Sequence, residues 1–438
     1  MDPIALLIVV AKCIFAVVFV MNIVPLLIYG ERKGAAYIQD RPGPNRAHIC
    51  GIRAGGLVHT LVDVVKLITK EDITPGHVEK KFWMVAPIIA MTVALSTFVV
   101  IPWGDELRIS RDLVVKLQVA DINGGLLYIL AITSLGVYGI MLAGWSSNNK
   151  FSLIGGLRSS AQMVSYELAM GLSLVVMFML YGSVRLSDIV AQQAGPIWNW
   201  GVFQGGVVTG MLAFILFWVA AFAETNRMPF DLPEGEAELV AGYHTEYSSL
   251  RFALFFMAEY ANMVVASAVT ATLFFGGYHF PFLDGDAIRQ HANTILMVFG
   301  GGGAIVLPVL AVIAWQRRKR VFYQSLPADD IRHREPKFWV IVWLGLAGLH
   351  AGLAFLGSTG FIQQGTLGPE IVAFVIHLNV LVVKVLIGCW IMIWVRWTIP
   401  RFRYDQLMSL GWKRMLPIAV VNVMLAGIWI AFTGGPNG

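Results

Sequence analysis

The stretch Ala223–Glu259, AETNRMPFDLPEGEAELVAGYHTEYSSLRFALFFMAE, carries seven carboxylates, Glu224, Asp231, Glu234, Glu236, Glu238, Glu246 and Glu259, between apolar runs at 207–223 and 252–275. Charged residues make up only 13% of this 438-residue chain, so the stretch concentrates acid against hydrocarbon. Both flanking runs are close to the ~20 residues that cross a bilayer. The acids thus read as a loop between two membrane helices, with Glu224 at the end of one and Glu259 about two turns into the next.

Apolar runs of that length recur along the chain, near 4–29, 83–102, 122–144, 161–182, 206–223, 252–276, 293–315, 338–357, 371–395 and 414–433. With 57% hydrophobic residues and a mean hydropathy of +0.70, they predict an all-α polytopic integral membrane protein with about ten transmembrane helices. The first run lacks a basic leader and a small-residue cleavage site, and reads as a retained helix. Successive spans reverse direction, so the basic residues of alternate loops can be compared. One side holds 25 Lys and Arg and the other five. The positive-inside rule then places the acidic loop in the cytoplasm and both termini outside.

Few chemistries fit this composition. Cys13, Cys50 and Cys389 are too few and too scattered for a cluster or a disulfide framework; each is expected to be a small buried apolar residue. The nine histidines are dispersed, no metal-ligand spacing occurs, and no P-loop, GxGxxG or GxSxG context is present. Gly301–Gly303 lies within an apolar span and reads as close helix packing. Carboxylates grouped beside hydrocarbon exchange protons nearer neutral pH than solvated ones, which suits a relay. Glu234 and Glu238 would share a helical face, with Glu236 turned away. Phe230, Tyr243, Tyr247, Phe252, Phe255 and Phe256 are expected to line an apolar slot next to these acids.

Other segments add charge at defined depths. In ERKGAAYIQDRPGPNR (31–46), Pro42-Gly43-Pro44 enforces a turn that fixes Arg41 and Arg46 just outside the membrane. Residues 56–69 space apolar side chains at helical intervals, with Asp63 and Lys66 three apart, and read as an amphipathic interfacial helix. Glu167 and Lys384 lie within spans, where an ionisable group normally faces a cavity or a partner; for Lys384 a carboxylate or water is expected. The basic cluster Arg317–Arg320 reads as a lipid anchor.

Four segments together, ERKGAAYIQDRPGPNR, WSSNNKFSLIGGLRSSAQMVSYEL (145–168), the acidic stretch extended to Met263, and RWTIPRFRYDQLMSLGWKR (396–414), resemble the H subunit of respiratory complex I, proton-pumping NADH:quinone oxidoreductase. The resemblance implies a membrane-arm subunit at the junction with the hydrophilic arm that helps to form the quinone tunnel. It implies quinone-tunnel roles for Glu31, Arg32, Arg41, Asp63, Phe256 and Arg396. It implies a coupling loop at Glu234, Glu236 and Glu238, and a membrane proton path through Glu167, Glu224 and Glu259 with Asp231 and Glu246. No cofactor is expected on this chain: quinone is the substrate, and FMN and iron–sulfur clusters belong to partner subunits. The implied partners are the hydrophilic-arm subunits of the quinone site, the adjacent small membrane subunits and phospholipid, with no nucleic acid, in a bacterial cytoplasmic (inner) membrane.

The chain departs from the family's eight spans between Pro281 and Gly368. We divide it into a family core at 1–280, an inserted helical hairpin with a basic linker at 281–368, and two last core helices at 369–438. The hairpin reads either as a lipid-facing addition or as a contact for an additional subunit. The runner-up function is the homologous subunit of a membrane-bound hydrogenase or of a ferredoxin- or F420-dependent dehydrogenase, which shares the buried acids. A solitary cation/proton transporter lacks the paired broken helices it would need.

Overall fold

The computed structural model describes residues 3–110, 113–233, 235–316, 324 and 333–434, without the side chains at 236 and 237. The proposed lipid anchor at Arg317–Arg320 and the loop acid Glu234 lie outside the described residues. Helix α1 (Pro3–Ile38) opens the chain and is followed by the short α2 (Val58–Thr69). Four long helices, α3 (Lys80–Thr97), α4 (Gly125–Ser146), α5 (Lys150–Tyr181) and α7 (Val208–Glu224), form the centre, with α6 (Leu186–Gln192) as a connector. The acidic loop holds the one-turn α8 (Glu236–Leu239) and leads into α9 (Ser249–Phe274). After α10 (Gly285–Gln290) come the paired helices α11 (Ala292–Gln316) and α12 (Arg334–Ser358), then α13 (Leu367–Thr398) and α14 (Tyr404–Thr433), the last with a π-helical turn at Leu410–Met415.

Among the described residues, nine helices are long and apolar enough to cross a membrane. The 17-residue α7 is the tenth segment, at the short limit of a span. Among the described residues, the all-α expectation holds apart from one antiparallel hairpin, β1 (Glu106–Arg108) with β2 (Val114–Lys116). Contacts between loops sort them to two ends, as alternation requires. At one end, where α1 terminates, Arg396 meets Glu31 and Arg401 meets Asp231. At the other, Arg289 of α10 clasps Asp105, Asp286 and Glu370. We call the first the basic end.

Helix α9 is the axis of the fold, with 61% of its spanning window buried against only 17% and 11% for α11 and α12. Small residues let its neighbours close up: a Cβ on Gly144 of α4 would stand 2.6 Å from the Ser152 carbonyl oxygen of α5. Lys384 of α13 also serves this packing. Its Nζ donates to the carbonyls of Phe275, Gly277 and His279 at 2.7, 2.8 and 2.8 Å, just past the C-terminal end of α9. The ammonium therefore caps a helix end, and the expected carboxylate or water is replaced by backbone oxygens. Cys389 is buried, but Cys13 and Cys50 are exposed, against expectation: Cys13 lies on the outward side of α1 and Cys50 in the loop before α2. A small apolar side chain on a membrane helix has no reason to point inward, because the surrounding lipid is itself apolar.

Helices α11 and α12 run antiparallel, with Gly357 against Asn293 and Gly300 against Ala354 and His350. Of the triple glycine, Gly303 meets the His350 ring while Gly301 and Gly302 face open space. A Cβ on Gly300 would stand 2.6 Å from the Ala354 nitrogen and 2.7 Å from the His350 oxygen, both immovable backbone atoms. Gly300→Ala is therefore expected to destabilise the hairpin by about 1–3 kcal/mol, while Gly301→Ala is neutral or gains up to about 1 kcal/mol of helix propensity. Thermal unfolding of the two variants checks this; equal behaviour would refute the packing.

Candidate functional site

At 36 residues α1 is about 54 Å long, well beyond the ~30 Å hydrocarbon core, so its last turns project from the membrane at the basic end. Those turns carry three consecutive charges, and at roughly 100° per residue no two of them face the same way. Glu31 points into the fold towards Arg227, Tyr260 and Arg396. Arg32 turns to Asp63 of α2, and Lys33 to the hairpin residue Glu335. Asp63 thus pairs with Arg32 and not with Lys66. Helix α2 forms as expected, with Leu61, Val64, Val65 and Ile68 exposed along one side.

Among the described residues, the inward branch is the densest buried ionic group at this end. The Tyr260 hydroxyl donates to Glu31 Oε2 at 2.7 Å and Arg227 Nη2 donates to the same oxygen at 2.9 Å. Arg396, from the last turn of α13, donates to the other oxygen. The Arg227 guanidinium lies 4.2 Å from the Tyr260 ring centroid, and its Nε is 3.0 Å from Glu259 Oε1. One guanidinium therefore bridges two carboxylates on two helices. Burial alone would lower its pKa, but Glu259, Tyr260 and Glu31 beside it raise it above the ordinary arginine value, so it stays charged.

Arg227 is held there by the loop after α7, which α5 clamps. Gln162 Nε2 donates to the carbonyls of Ala223 and Phe230 at 2.7 and 2.8 Å, and Ser159 Oγ donates to Asn226 Oδ1 at 3.2 Å. A little further on, Asp231 is buried and accepts from Arg401 at 2.7 Å.

Phe252, Phe256 and Tyr260 follow one another at intervals of four on α9, so they share a face. Their rings are 6.2 and 5.0 Å apart, centroid to centroid, and form an aromatic row that ends at the Glu31 node. The expected slot forms only in part: Tyr243 and Phe255 line a cavity together with Glu224 and Glu259, and the other four aromatic residues do not join them there. Phe255 lies about 100° round the helix from Phe256 and packs into the core with Tyr243 and Tyr247, the latter stacked on Trp83. Phe230 packs against Tyr166 and Phe402.

On the other side of Arg227 a cavity opens between α3, α4, α5, α7 and α9. Glu224, Glu259, Thr133, Asn226 and Asn262 give its apolar wall polar points. On α4 the Ser134 hydroxyl donates to Glu167, while the neighbouring Thr133, whose hydroxyl donates to the Leu130 carbonyl at 3.1 Å, lines the cavity with Glu224. Glu167 therefore faces a partner inside the bundle and does not snorkel.

The remaining acids separate. Glu238 is exposed and pairs with Arg158 at 2.6 Å, while Glu246 accepts from Asn149 at 2.7 Å and lies 3.8 Å from His77. Arg41 is exposed at the turn after α1. Of the tunnel residues implied by the resemblance, the structure gathers Glu31, Phe256 and Arg396, sets Arg32 with Asp63 beside them, and leaves Arg41 apart. The sequence reading misses Arg227 and Tyr260, although an arginine set between the acids Glu224 and Asp231 just after an apolar span signals that it has carboxylates to serve.

The model of the NADH dehydrogenase family matches residues 11–328 and 337–427. The chain is 42% identical over 423 residues to an NADH-quinone oxidoreductase H subunit of Solibacter usitatus, covering 97% of this chain and 96% of that protein. It is 42% identical to the NADH-quinone oxidoreductase H subunit of Flavobacterium psychrophilum, over 91% and 90% of the two chains. With the H subunit of the same enzyme from Flavobacterium johnsoniae it shares 39% identity over 96% and 93%.

Proposed function

Because the chain belongs to the NADH dehydrogenase family, alongside the H subunits of NADH-quinone oxidoreductase, we propose that it is the membrane-arm subunit of such a complex, that it lines part of the quinone tunnel, and that it couples quinone reduction to proton translocation. It acts within the complex; electrons come from partner subunits that carry FMN and iron–sulfur clusters. The hydrogenase-type alternative gains nothing from the comparisons.

The observation that carries this reading is the aromatic row Phe252–Phe256–Tyr260 running to a buried node of two arginines and Glu31. Aromatic rings suit a planar, lipid-like head group, and the guanidinium N–H groups not engaged by the carboxylates suit the oxygens on which negative charge gathers as electrons arrive. Glu31 holds those donors in place. Arg227 also holds Glu259, so any change of charge at the node shifts the balance on a carboxylate that lines the proton cavity. Asp63 with Arg32, and Arg41, would flank the outer part of the tunnel, while Glu234, Glu236 and Glu238 belong to the acidic loop that would link the tunnel to the membrane proton path. Glu167, Glu224 and Glu259 form the membrane part of the path, with Asp231 and Glu246 at its edge.

The sidedness fits this placing. With 25 basic residues on its side, the basic end lies in the cytoplasm, where it would dock the hydrophilic arm, with the small membrane subunits as neighbours in the membrane. The host membrane would be a bacterial inner membrane.

Glu31→Gln tests the reading in the assembled complex. The carboxamide keeps the shape but withdraws the charge that two arginines share, so quinone reduction is expected to fall about tenfold or more. Reduction of an artificial acceptor ahead of the quinone site stays at the wild-type rate. Wild-type quinone kinetics in this variant would sink the assignment.

A further inference from the structure

The hairpin α11–α12 is not merely a lipid-facing addition, because the first turn of α12 is anchored in the loop that follows α1. Glu335 is buried and accepts from Lys33 Nζ at 2.5 Å, from the Tyr37 hydroxyl at 3.2 Å and from the Asn45 amide. Lys33 also donates to the Pro42 carbonyl, so one ammonium and one carboxylate tie α1, the Pro42–Asn45 turn and α12 together. One helical turn beyond Glu335, Trp339 covers Gly55, where an added Cβ would come within 2.6 Å of the indole nitrogen. Tyr29 donates to the Gly55 carbonyl at 2.8 Å, and its ring centroid lies 6.4 Å from that of Trp339. From the opposite side His59 of α2 accepts from the backbone of Arg46 and Ala47 at 2.9 and 3.0 Å. The loop 41–56, with Arg41 and Arg46, is thus gripped between α1, α2 and α12.

Lys33 stands two residues after Glu31 on one rigid helix, about 200° round it. A pull on Lys33 is therefore transmitted to the turn that presents Glu31 to Arg227 and Arg396. We infer that Glu335 is a positioning residue for quinone: from the hairpin it fixes the loop 41–56 and the Glu31–Lys33 turn in the shape through which the head group passes. This rests on the quinone-tunnel reading above. Glu335 touches no reacting group, so its loss alters access and binding and leaves the chemical step in place.

The test uses the whole complex in its native membrane, with Glu335→Gln, Tyr37→Phe and, as reference, Glu31→Gln. Reduction of a short-chain quinone is followed over a range of concentrations, and reduction of an artificial acceptor ahead of the quinone site reports assembly. For Glu335→Gln the expected result is a KM for quinone raised about tenfold with kcat within about twofold, and for Tyr37→Phe a smaller rise in the same sense. A hairpin that only fills space would not split KM from kcat. If both variants keep the wild-type KM while Glu31→Gln loses activity, this inference is overturned and the tunnel reading stands. If Glu31→Gln is also unaffected, the tunnel reading itself fails. Should Glu335→Gln not assemble, Tyr37→Phe decides, because it removes a single hydroxyl and leaves the ion pair whole.

Discussion

Arg227→Met is expected to reduce quinone reduction by the assembled complex by about 100-fold or more, the largest effect of any single exchange proposed. The side chain is 5% exposed and stands between Glu31 at 2.9 Å and Glu259 at 3.0 Å. Removing one member of a buried ion pair costs about 3–5 kcal/mol, because the carboxylates left behind have neither water nor a counter-charge. At about 1.4 kcal/mol per factor of ten this corresponds to roughly two to three and a half orders of magnitude. Arg227→Lys keeps the charge, but an ammonium lacks the fork that reaches two carboxylates at once, so a partial loss of about tenfold is expected. Membranes containing each variant would be assayed with quinone and with an artificial acceptor. An assembled methionine variant that reduces quinone at the wild-type rate would remove Arg227 from the mechanism and, with it, the link between the node and the cavity.

How much is legible in the sequence differs between fold and site, for physical reasons. Membrane spans announce themselves through length and composition, because lipid imposes the same requirement on every helix. Even the shortest, α7, lies within a few residues of its apolar run. Which side chains meet is set by long-range packing, and that is not written locally. Glu335 sits in a run of basic residues and looks solvated, yet its partner Lys33 is 302 positions away. Lys384 looks like half of an ion pair because sequence shows charges and hides backbone carbonyls, and the end of α9 supplies three of them. The aromatic residues of the acidic loop illustrate the intermediate case. Their presence is legible, but the four-residue spacing that puts Phe252, Phe256 and Tyr260 on one face and Phe255 on another needs α9 to be a helix from Ser249 onward. The same geometry, applied to the consecutive Glu31, Arg32 and Lys33, shows that they cannot share a partner.

Glu224→Gln is expected to lower proton translocation and quinone turnover together, each by about tenfold or more, with the KM for quinone unchanged. Glutamine has the shape of glutamate, so folding is preserved; what it lacks is a carboxyl that can take up and release a proton. Glu224 closes the end of α7 and lines the same cavity as Glu259, while Ser134, next to Thr133, serves Glu167. Two adjacent hydroxyls on α4 therefore lie near these acids, one bonded to Glu167 and the other lining the cavity with Glu224, and a hydroxyl both donates and accepts. Thr133→Val removes one hydroxyl while keeping the branched shape, and a milder loss of about threefold is expected because water in the cavity can take its place. Reconstituted vesicles with an internal pH dye measure translocation beside NADH oxidation. This pattern differs from the one expected at the node, where the proposed contact of the arginines with the head group would make KM respond. If Glu224→Gln pumps normally, protons do not cross by this cavity, and the Arg227 bridge to Glu259 must be a structural clamp. If pumping and turnover fall in step with KM untouched, the node and the cavity are two stages of one device, joined by a single guanidinium.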